Sequence, residues 1–449
     1  MSRNSNGTIA NMCPSATLTS ERNPQVLVLG DDTRIVISVA RSLGRQNVAV
    51  DVAWCGTYCP SLRSRYVRQV HDVEWPRPRS TAWHEQLRGL LATTKYDLVL
   101  PVTEAAVYAM QTDRAEFAEF DNLYLLPEET YRVASSKRET YRLAERLGVP
   151  IPQTDSVDTA EDLARVLPDL RFPVIVKPIC PVEEVDGIDK HYARSVDTAD
   201  ELRAYWARLT ERGARVLLQE YFEGVGVGVE VLVHRGVIRT AFQHQRIHET
   251  NGHGSTYRKG VPVSRELLDA TGRLLGEMQY TGVAMVEYRV DPATGAWRLI
   301  EINPRFWGSL PLAVASGADF PYFLFQQLCE SECDLPQAYR TGLRSRDWTY
   351  DLIWLWSRLT QSGARFQRGQ ERWLGWKTNA VSWPSVLLHT LRGLFGRDGW
   401  DTFAWDDPGP ARAEVRKLVG SALRRCRTAL AAGGASILSH VPRRQRATR

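Results

Sequence analysis

Two carboxylates and an amide lie on neighbouring strand-like segments of this 449-residue chain. Segments 283–290 and 297–303 alternate between apolar and polar residues and are joined by a sequence of turn composition. This pattern predicts a β-hairpin. If the strands pair symmetrically about the turn, Glu287 falls opposite Glu301 or its neighbour. Asn303 shares the face of Glu301, because alternate residues of a strand point to the same side.

The chemistry of this trio depends on its surroundings. Like charges directly opposite each other destabilise a sheet, so Glu287 and Glu301 need a cation or a proton nearby. With the amide oxygen of Asn303 they offer three hard ligands, which suit Mg²⁺ bridging nucleotide phosphates. A solvated edge hairpin explains the acids equally well, since exposed charges are common on antiparallel sheets. The pair alone leaves both interpretations open.

The residues that follow provide further information. Residues 301–309 read EINPRFWGS and resemble the metal-binding strand of the ATP-grasp superfamily. The resemblance implies that Glu287, Glu301 and Asn303 hold Mg²⁺ (or Mn²⁺), as two ions, across the phosphates of ATP. It also implies that Arg305 steadies an acyl-phosphate and the later tetrahedral species. A bidentate guanidinium suits phosphate and carboxylate oxygens.

The same resemblance assigns residues to ATP. A capped helix begins at Lys137, where many members carry a lysine, and Lys177 ends an apolar run like the lysine that binds phosphates. Residues 220–222 resemble the hinge that cups adenine, and Glu230 is a candidate for the ribose, with a surface strand position as an equal alternative. The candidate ATP-binding residues are therefore Lys137, Lys177, Glu220, Tyr221, Phe222 and Glu230.

Two loops complete the comparison. The polar loop 252–258 and nearby Arg246 resemble elements close to the phosphates or the acceptor, although Gly and Ser are common in any turn. The candidates there are Arg246, His253, Ser255 and Arg258. After Lys177, many relatives carry a glycine-rich loop that closes over the phosphates. Residues 179–187 of this chain hold one glycine and several acids instead, so the way this loop covers the phosphates is in question.

The elements that must position these residues begin with a short apolar strand at 26–30, a helix at 35–43 and a strand at 48–53. This order predicts a parallel, Rossmann-like sheet. The first turn carries Gly30 without the G-x-G-x-x-G fingerprint, which argues against NAD. Further on, three glycines are expected to separate the strand at 216–219 from the next one; they are Gly224, Gly226 and Gly228.

The predicted fold class is α/β and α+β: a Rossmann-like N-terminal domain, a two-subdomain ATP-grasp fold and a helical C-terminal extension. The expected divisions are a disordered leader (1–24), the Rossmann-like domain (25–126), the ATP-grasp domain (127–333) and a mostly helical extension with a basic tail (334–449).

Composition excludes several classes of protein. The net charge of +5 is small for this length, so we expect no nucleic-acid partner. Apolar runs are too short for a membrane span, and the leader lacks a secretory apolar core. The pairs Cys55/Cys59 and Cys329/Cys333 have no further Cys or His nearby to complete a zinc site. Seven scattered cysteines then favour reduced thiols in the cytoplasm.

The resemblance implies an ATP-dependent ligase that joins a small-molecule carboxylate to an amine through an acyl-phosphate. One alternative activates bicarbonate, as a carboxylase or a carbamoyl-forming enzyme. The other binds ATP as a sensor or scaffold without turnover. The residues do not identify the acid or the amine. The oligomeric state also stays open, and a homodimer is one of the alternatives.

Overall fold

The computed structural model describes residues 23–56, 59, 62–179, 193–211, 213, 215–250, 254–330, 335–360, 381–396 and 398–420. Four predictions concern residues that lie wholly or mostly outside these ranges: the disordered leader, the loop after Lys177, the role of His253 and the basic C-terminal tail.

The first sheet is parallel, as predicted, with strand order β3-β2-β1-β4. Apolar strands buried on both faces are typical of parallel sheets, and β1 is buried from Val26 onward. Its elements are β1 (Gln25–Gly30), α1 (Thr33–Arg45), β2 (Ala49–Trp54), β3 (Gln69–Asp72), α2 (Thr81–Thr93), β4 (Leu98–Pro101) and α3 (Glu104–Thr112).

The second sheet is antiparallel, with order β5-β8-β6-β7. The helix before it begins where predicted, because the Ser136 side chain accepts a hydrogen bond from the Glu139 N–H at 3.4 Å. This part of the chain contains α4 (Glu128–Ser135), α5 (Lys137–Arg146), β5 (Thr154–Val157), α6 (Ala160–Val166), β6 (Val174–Pro178), β7 (Arg194–Val196), α7 (Ala199–Thr210) and β8 (Val216–Glu220).

The third sheet is the largest, with seven strands in the order β13-β12-β9-β10-β11-β14-β15. Every pairing in it is antiparallel except that between its last two strands. Its elements and their helices are β9 (Val225–His234), β10 (Val237–Thr250), β11 (Gly254–Val261), α8 (Arg265–Glu277), β12 (Gly282–Val290), β13 (Trp297–Asn303), α9 (Leu310–Ser316), α10 (Phe320–Cys329), β14 (Arg344–Arg346), α11 (Trp348–Thr360), α12 (Trp383–Leu394) and β15 (Gly399–Trp400).

Both faces of this large sheet are covered. On one face, Val229, Val231 and Val286 pack in a core with residues of α8, α4 and α5. On the other, Leu232 and Met285 pack in a core that also includes α1, α9, α10 and the first sheet. Because side chains alternate between faces, Glu287 lies on the same face as Met285, towards the first sheet.

The prediction that glycines separate β8 from β9 is wrong for two of them. Gly226 and Gly228 lie inside β9, which begins at Val225. A side chain at either position would clash with its neighbour on β10: a Cβ would come within 2.5 Å of Arg246 and within 2.3 Å of His244. Glycine is therefore needed here for close packing within a strand.

The predicted polar loop at 252–258 is also different from residue 254 onward. Ser255 and Arg258 belong to β11, which pairs with β10 and places Arg258 opposite Arg246. β11 therefore begins at Gly254, within the segment that the composition predicted as a loop.

The C-terminal region contributes to the large sheet. β14 pairs with β11, and β15 pairs with β14. The predicted helices at 350–359 and 384–394 are present as α11 and α12. The sheet therefore continues beyond residue 333, the proposed end of the ATP-grasp domain.

A search of the described residues for a helix both long and apolar enough to cross a bilayer finds none. In the same part of the chain, Cys55, Cys59 and Cys329 are free thiols.

Candidate active site

The predicted hairpin forms, and Glu287 pairs directly with Glu301. A β-bulge creates this pairing. Val290 pairs with Trp297 and Tyr288 with Leu299, a register that would carry on to place Ile300 opposite Glu287. One extra residue on β13 moves Glu301 into that place instead.

The bulge reconciles two demands on β13. Leu299 and Ile302 both pack in the core beneath α8, although residues three apart on a regular strand face opposite ways. With Ile300 as the extra residue, both side chains enter that core and Glu301 is turned to the other face. The Ile300 carbonyl accepts a hydrogen bond from the Tyr141 hydroxyl at 2.7 Å, which anchors the bulge to α5.

Cations flank the two acids. Lys137 Nζ lies 3.3 Å from the carboxylate of Glu301, and Arg246 Nη2 lies 2.5 Å from that of Glu287. Burial disfavours ionisation of Glu301, but the charges of Lys137 and Lys177 outweigh it and lower its pKa to about 2. Burial raises the pKa of Glu287, with the Glu301 charge adding to it and Arg246 opposing it. The pair thus behaves as a strong acid beside a weaker one.

Lys177 approaches the same acids from the second sheet. Its side chain is buried, and Nζ donates to the Gln219 amide oxygen at 2.6 Å. The Gln219 amide nitrogen donates in turn to the Tyr141 hydroxyl and to Thr154 Oγ1, each at 3.0 Å. Burial is the main cause that lowers the pKa of Lys177, to about 8, while Glu301 opposes that effect.

The predicted hinge, residues 220–222, lies at the end of β8, and the assignment of Glu220 to adenine stays a prediction. Glu220 ends β8 with an exposed side chain, and Tyr221 and Phe222 are half-buried. Gln219, one residue earlier, points to Lys177 because side chains alternate along β8. Sequence reasoning missed Gln219, although the alternation of the strand before the hinge offered a signal.

Arg305 lies beside the acids and reaches the first sheet's domain. Its Nη2 donates to the Asn303 amide oxygen at 3.0 Å and to the Glu104 carboxylate at 3.3 Å. Asn303 also donates to Glu301 at 3.3 Å. Glu104, at the start of α3, was not among the predicted site residues; it follows the strand end at 97–101, where parallel sheets place functional groups.

Arg246 is brought to the site, and Arg258 has another partner. The Arg258 guanidinium is buried and forms an ion pair with Asp401. Ser255 Oγ donates to the backbone carbonyl of Tyr257 at 2.9 Å. Neither contact involves the paired acids.

Glu230 lies on the face of Glu287 but is fully buried. Its Oε1 accepts a hydrogen bond from Ser309 at 2.6 Å and lies 2.8 Å from His244 Nδ1. In this arrangement the Glu230 side chain is not exposed, and a contact with ribose would require exposure.

The donor set suits a hard cation that retains other ligands. Glu287, Glu301 and Asn303 present oxygen atoms on one face, and their charge calls for cations. No group of three or more His, Cys, Asp and Glu suited to a metal is found in the part of the chain that the structure describes. Such a site cannot enclose an ion with acids alone, but it fits Mg²⁺, which is commonly held by one or two carboxylates together with water and phosphate oxygens.

The chain is similar in sequence to known proteins. Residues 213–349 match a family model described as "ATP-grasp in the biosynthetic pathway with Ter operon". The chain is 24% identical over 213 residues to a D-alanine--D-alanine ligase of Pseudomonas putida, covering 44% of this chain and 65% of the relative. It is 26% identical over 247 residues to the carbamoyl phosphate synthase large chain of Thermus thermophilus, covering 51% of this chain and 22% of the relative. The chain thus spans less than two-thirds of either relative.

The fold is also similar to a solved structure. The N5-carboxyaminoimidazole synthetase from Staphylococcus aureus, crystallised with ADP, superposes with a TM-score of 0.59 at 14% identity, over 85% of this chain and 98% of that one. At this identity the likeness concerns the fold alone. The family match over residues 213–349, with the two relatives, leads to one conclusion: this chain carries an ATP-grasp domain.

Proposed function

We propose that this protein is an ATP-dependent ligase that converts a small-molecule carboxylate into an acyl-phosphate and joins it to an amine, releasing ADP and phosphate. The observation that carries the proposal is the bulged hairpin, which pairs Glu287 with Glu301 and places Lys137 and Arg246 against them. At this site fixed cations neutralise the acids, and Lys177 adds a further positive charge. Such a site is suited to binding the phosphates of a nucleotide.

ATP would lie between the second sheet and the large sheet. Lys177 and Lys137 are positioned to neutralise its phosphates, and Gln219 holds the Lys177 ammonium in place. The segment 220–222 would border the adenine. Phosphoryl transfer depends mainly on positioning and charge neutralisation, and this site supplies both through side chains fixed by hydrogen bonds.

Glu287, Glu301 and Asn303 would hold Mg²⁺, two ions in the proposed scheme. When bound, the ions would neutralise the triphosphate and polarise its terminal phosphoryl group. Lys137 and Arg246, which now neutralise the acids, would then be free to turn towards phosphate oxygens.

Arg305 is proposed to bind the substrate carboxylate and then the acyl-phosphate. Its guanidinium is held between Asn303 and Glu104, near the metal ligands and next to the first sheet's domain. A carboxylate bound there could attack the terminal phosphoryl group of ATP in line. The resulting acyl-phosphate would be shielded from water until an amine displaces phosphate.

The experiment is phosphate release from Mg-ATP with a panel of amino acids and dipeptides, comparing the wild type with Glu301→Ala. Release that needs one acid plus an amine, and is lost in the variant, supports the ligase. Release that needs bicarbonate instead supports the carboxylase or carbamoyl-forming alternative. ATP binding without release under every pairing favours the sensor and contradicts the proposal.

A further inference from the structure

A buried polar cluster beside the proposed metal ligands has no part in the scheme above. It consists of Glu230 on β9, His244 on β10 and Ser309 at the start of α9, which we call the His244 cluster. The three residues are 0%, 2% and 6% exposed. Burying a histidine and a carboxylate together costs free energy unless their hydrogen bonds are satisfied, so the geometry of the cluster is informative.

The cluster fixes the tautomer of the histidine. Glu230 Oε1 lies 2.8 Å from His244 Nδ1, and the Ser309 hydroxyl donates to the same oxygen at 2.6 Å. A carboxylate at this distance holds the imidazole proton on Nδ1 and leaves the lone pair on Nε2. Among the described residues, His244 is hydrogen-bonded at Nδ1 alone, to Glu230 and to Ser309 at 3.4 Å. Nε2 is therefore the nitrogen left for chemistry.

The register of the sheet places His244 in line with the paired acids. His244 is opposite Gly228, Gly228 is opposite Glu287, and Glu287 is opposite Glu301. These four residues form one row across four neighbouring strands, with side chains on the same face. Strands lie about 4.8 Å apart, so the His244 backbone is about 10 Å from that of Glu287.

Gly228 allows the imidazole to cross that gap. A Cβ at Gly228 would lie 2.3 Å from His244 Cε1 and 2.8 Å from Nδ1. The ring therefore covers the glycine and leans from β10 towards β12. Nε2 is farther than these two atoms from the Gly228 position, so the Nδ1–Cε1 edge of the ring faces the glycine.

Amide formation requires a group in the active site that accepts a proton from the amine. An α-amine has a pKa of about 8 and is mostly an ammonium ion at neutral pH. It attacks only as the free amine and must lose a second proton when the C–N bond forms. The guanidinium groups of Arg246 and Arg305 do not act as bases, and Glu287 and Glu301 are the proposed metal ligands. An imidazole with one free ring nitrogen is better placed to accept the proton.

We propose that His244 is the general base for the acceptor amine, with Glu230 and Ser309 as positioning residues. This inference rests on the proposed ligase function. As the amine nitrogen attacks the acyl carbon, a C–N bond forms and the bond from that carbon to the phosphate oxygen breaks. The phosphate leaves with the electron pair, and the amine proton passes to His244 Nε2.

The test separates activation of the acid from transfer to the amine. An amino acid from the panel serves as the acid, with either hydroxylamine or a second amino acid as the acceptor. Hydroxylamine is uncharged at neutral pH and traps an acyl-phosphate without a base. We expect His244→Gln to keep hydroxamate formation within about twofold of wild type and to lose about 10²- to 10⁴-fold in ligation, the usual contribution of a general base.

Two further variants complete the design. Glu230→Gln should give the same split, because an amide facing Nδ1 would move the imidazole proton to Nε2. His234→Gln, at the far end of β9, is the matched control and should leave both reactions unchanged. Hydroxamate formation by each variant also reports that its site has folded.

The outcomes distinguish this inference from the proposed function. Equal ligation by wild type and His244→Gln would overturn the role of His244 and leave the ligase intact. An equal loss of trapping and ligation would also overturn it, since His244 would then act only in structure. A wild type that forms no hydroxamate with any acid would instead refute the ligase, and the inference with it.

Discussion

At the scale of single residues, the site depends on charges that are buried beside one another. Glu301 and Lys177 illustrate the two ways in which burial and neighbouring charges can balance at a titratable group. The acid lies between two ammonium groups and stays ionised, whereas the lysine loses more through burial than it gains from the acid. The contribution of such groups to the free energy of unfolding changes with pH. Their burial can therefore be tested without any substrate.

Lys177 should make the folded protein more stable as the solution becomes alkaline. Its pKa falls from 10.5 to about 8 on folding, so between these values the unfolded chain binds a proton that the folded chain does not. Stability therefore rises with pH in this window. We expect the free energy of unfolding of wild type, minus that of Lys177→Met, to increase by about 3 kcal/mol between pH 8 and 10.5.

Urea unfolding at several pH values measures this difference. Lys95→Met, at an exposed position, is the control for the general effect of replacing a lysine by methionine. A difference for Lys177→Met that does not change with pH would show that this lysine keeps its ordinary pKa and would contradict its burial beside Gln219.

At the scale of elements, the hairpin could be predicted because its turn and its alternation are local. Its bulge could not, since Ile300 becomes the extra residue only when Leu299 and Ile302 must both reach the core under α8. Symmetric pairing about the turn predicted Glu301 or its neighbour opposite Glu287, and the bulge is what selects Glu301.

The prediction for two glycines of β9 was wrong. In the sequence they read as breaks, because glycine weakens strands. In the fold, Gly226 and Gly228 make room for Arg246 and His244, side chains from a strand whose pairing the local sequence does not reveal. Gln219 was missed for a similar reason: its importance depends on Lys177, 42 positions away.

Gly228→Ala tests the packing of this row. The added methyl group would meet the His244 ring at 2.3 Å, so we expect a loss of about 1–3 kcal/mol in the free energy of unfolding from overpacking. Gly89→Ala, in α2 with open space around it, should instead stabilise the protein by about 0.5–1 kcal/mol. Urea unfolding of both variants measures these values, and a neutral Gly228→Ala would mean that the ring does not cover the glycine.

At the scale of the whole molecule, the C-terminal region is tied to the large sheet by buried ion pairs. Arg258 on β11 pairs with Asp401, just after β15, and both side chains are 1% exposed. This connection could not be predicted, because β14 and β15 are only three and two residues long, too short to show a periodic pattern.

Asp401→Ala should therefore be strongly destabilising. It leaves the Arg258 guanidinium buried without its acid, which typically costs about 3–5 kcal/mol. Asp406→Ala is the matched control, because its partner Arg45 is 37% exposed and the acid is 40% exposed; exposed pairs contribute about 1 kcal/mol or less. Thermal or urea unfolding compares the two, and similar small losses would show that the C-terminal segment is not integral to the sheet.

The proposed ligase depends on transfer of a phosphoryl group from ATP to a carboxylate, and isotope labelling can detect this transfer. An acid that supports phosphate release is labelled in its carboxyl oxygens with a heavy isotope, and the released phosphate is examined by mass spectrometry. We expect one labelled oxygen to move from the acid to each phosphate formed with product, because the acyl-phosphate breaks between carbon and oxygen. This result would support the proposed transfer. Product formation with unlabelled phosphate would contradict it.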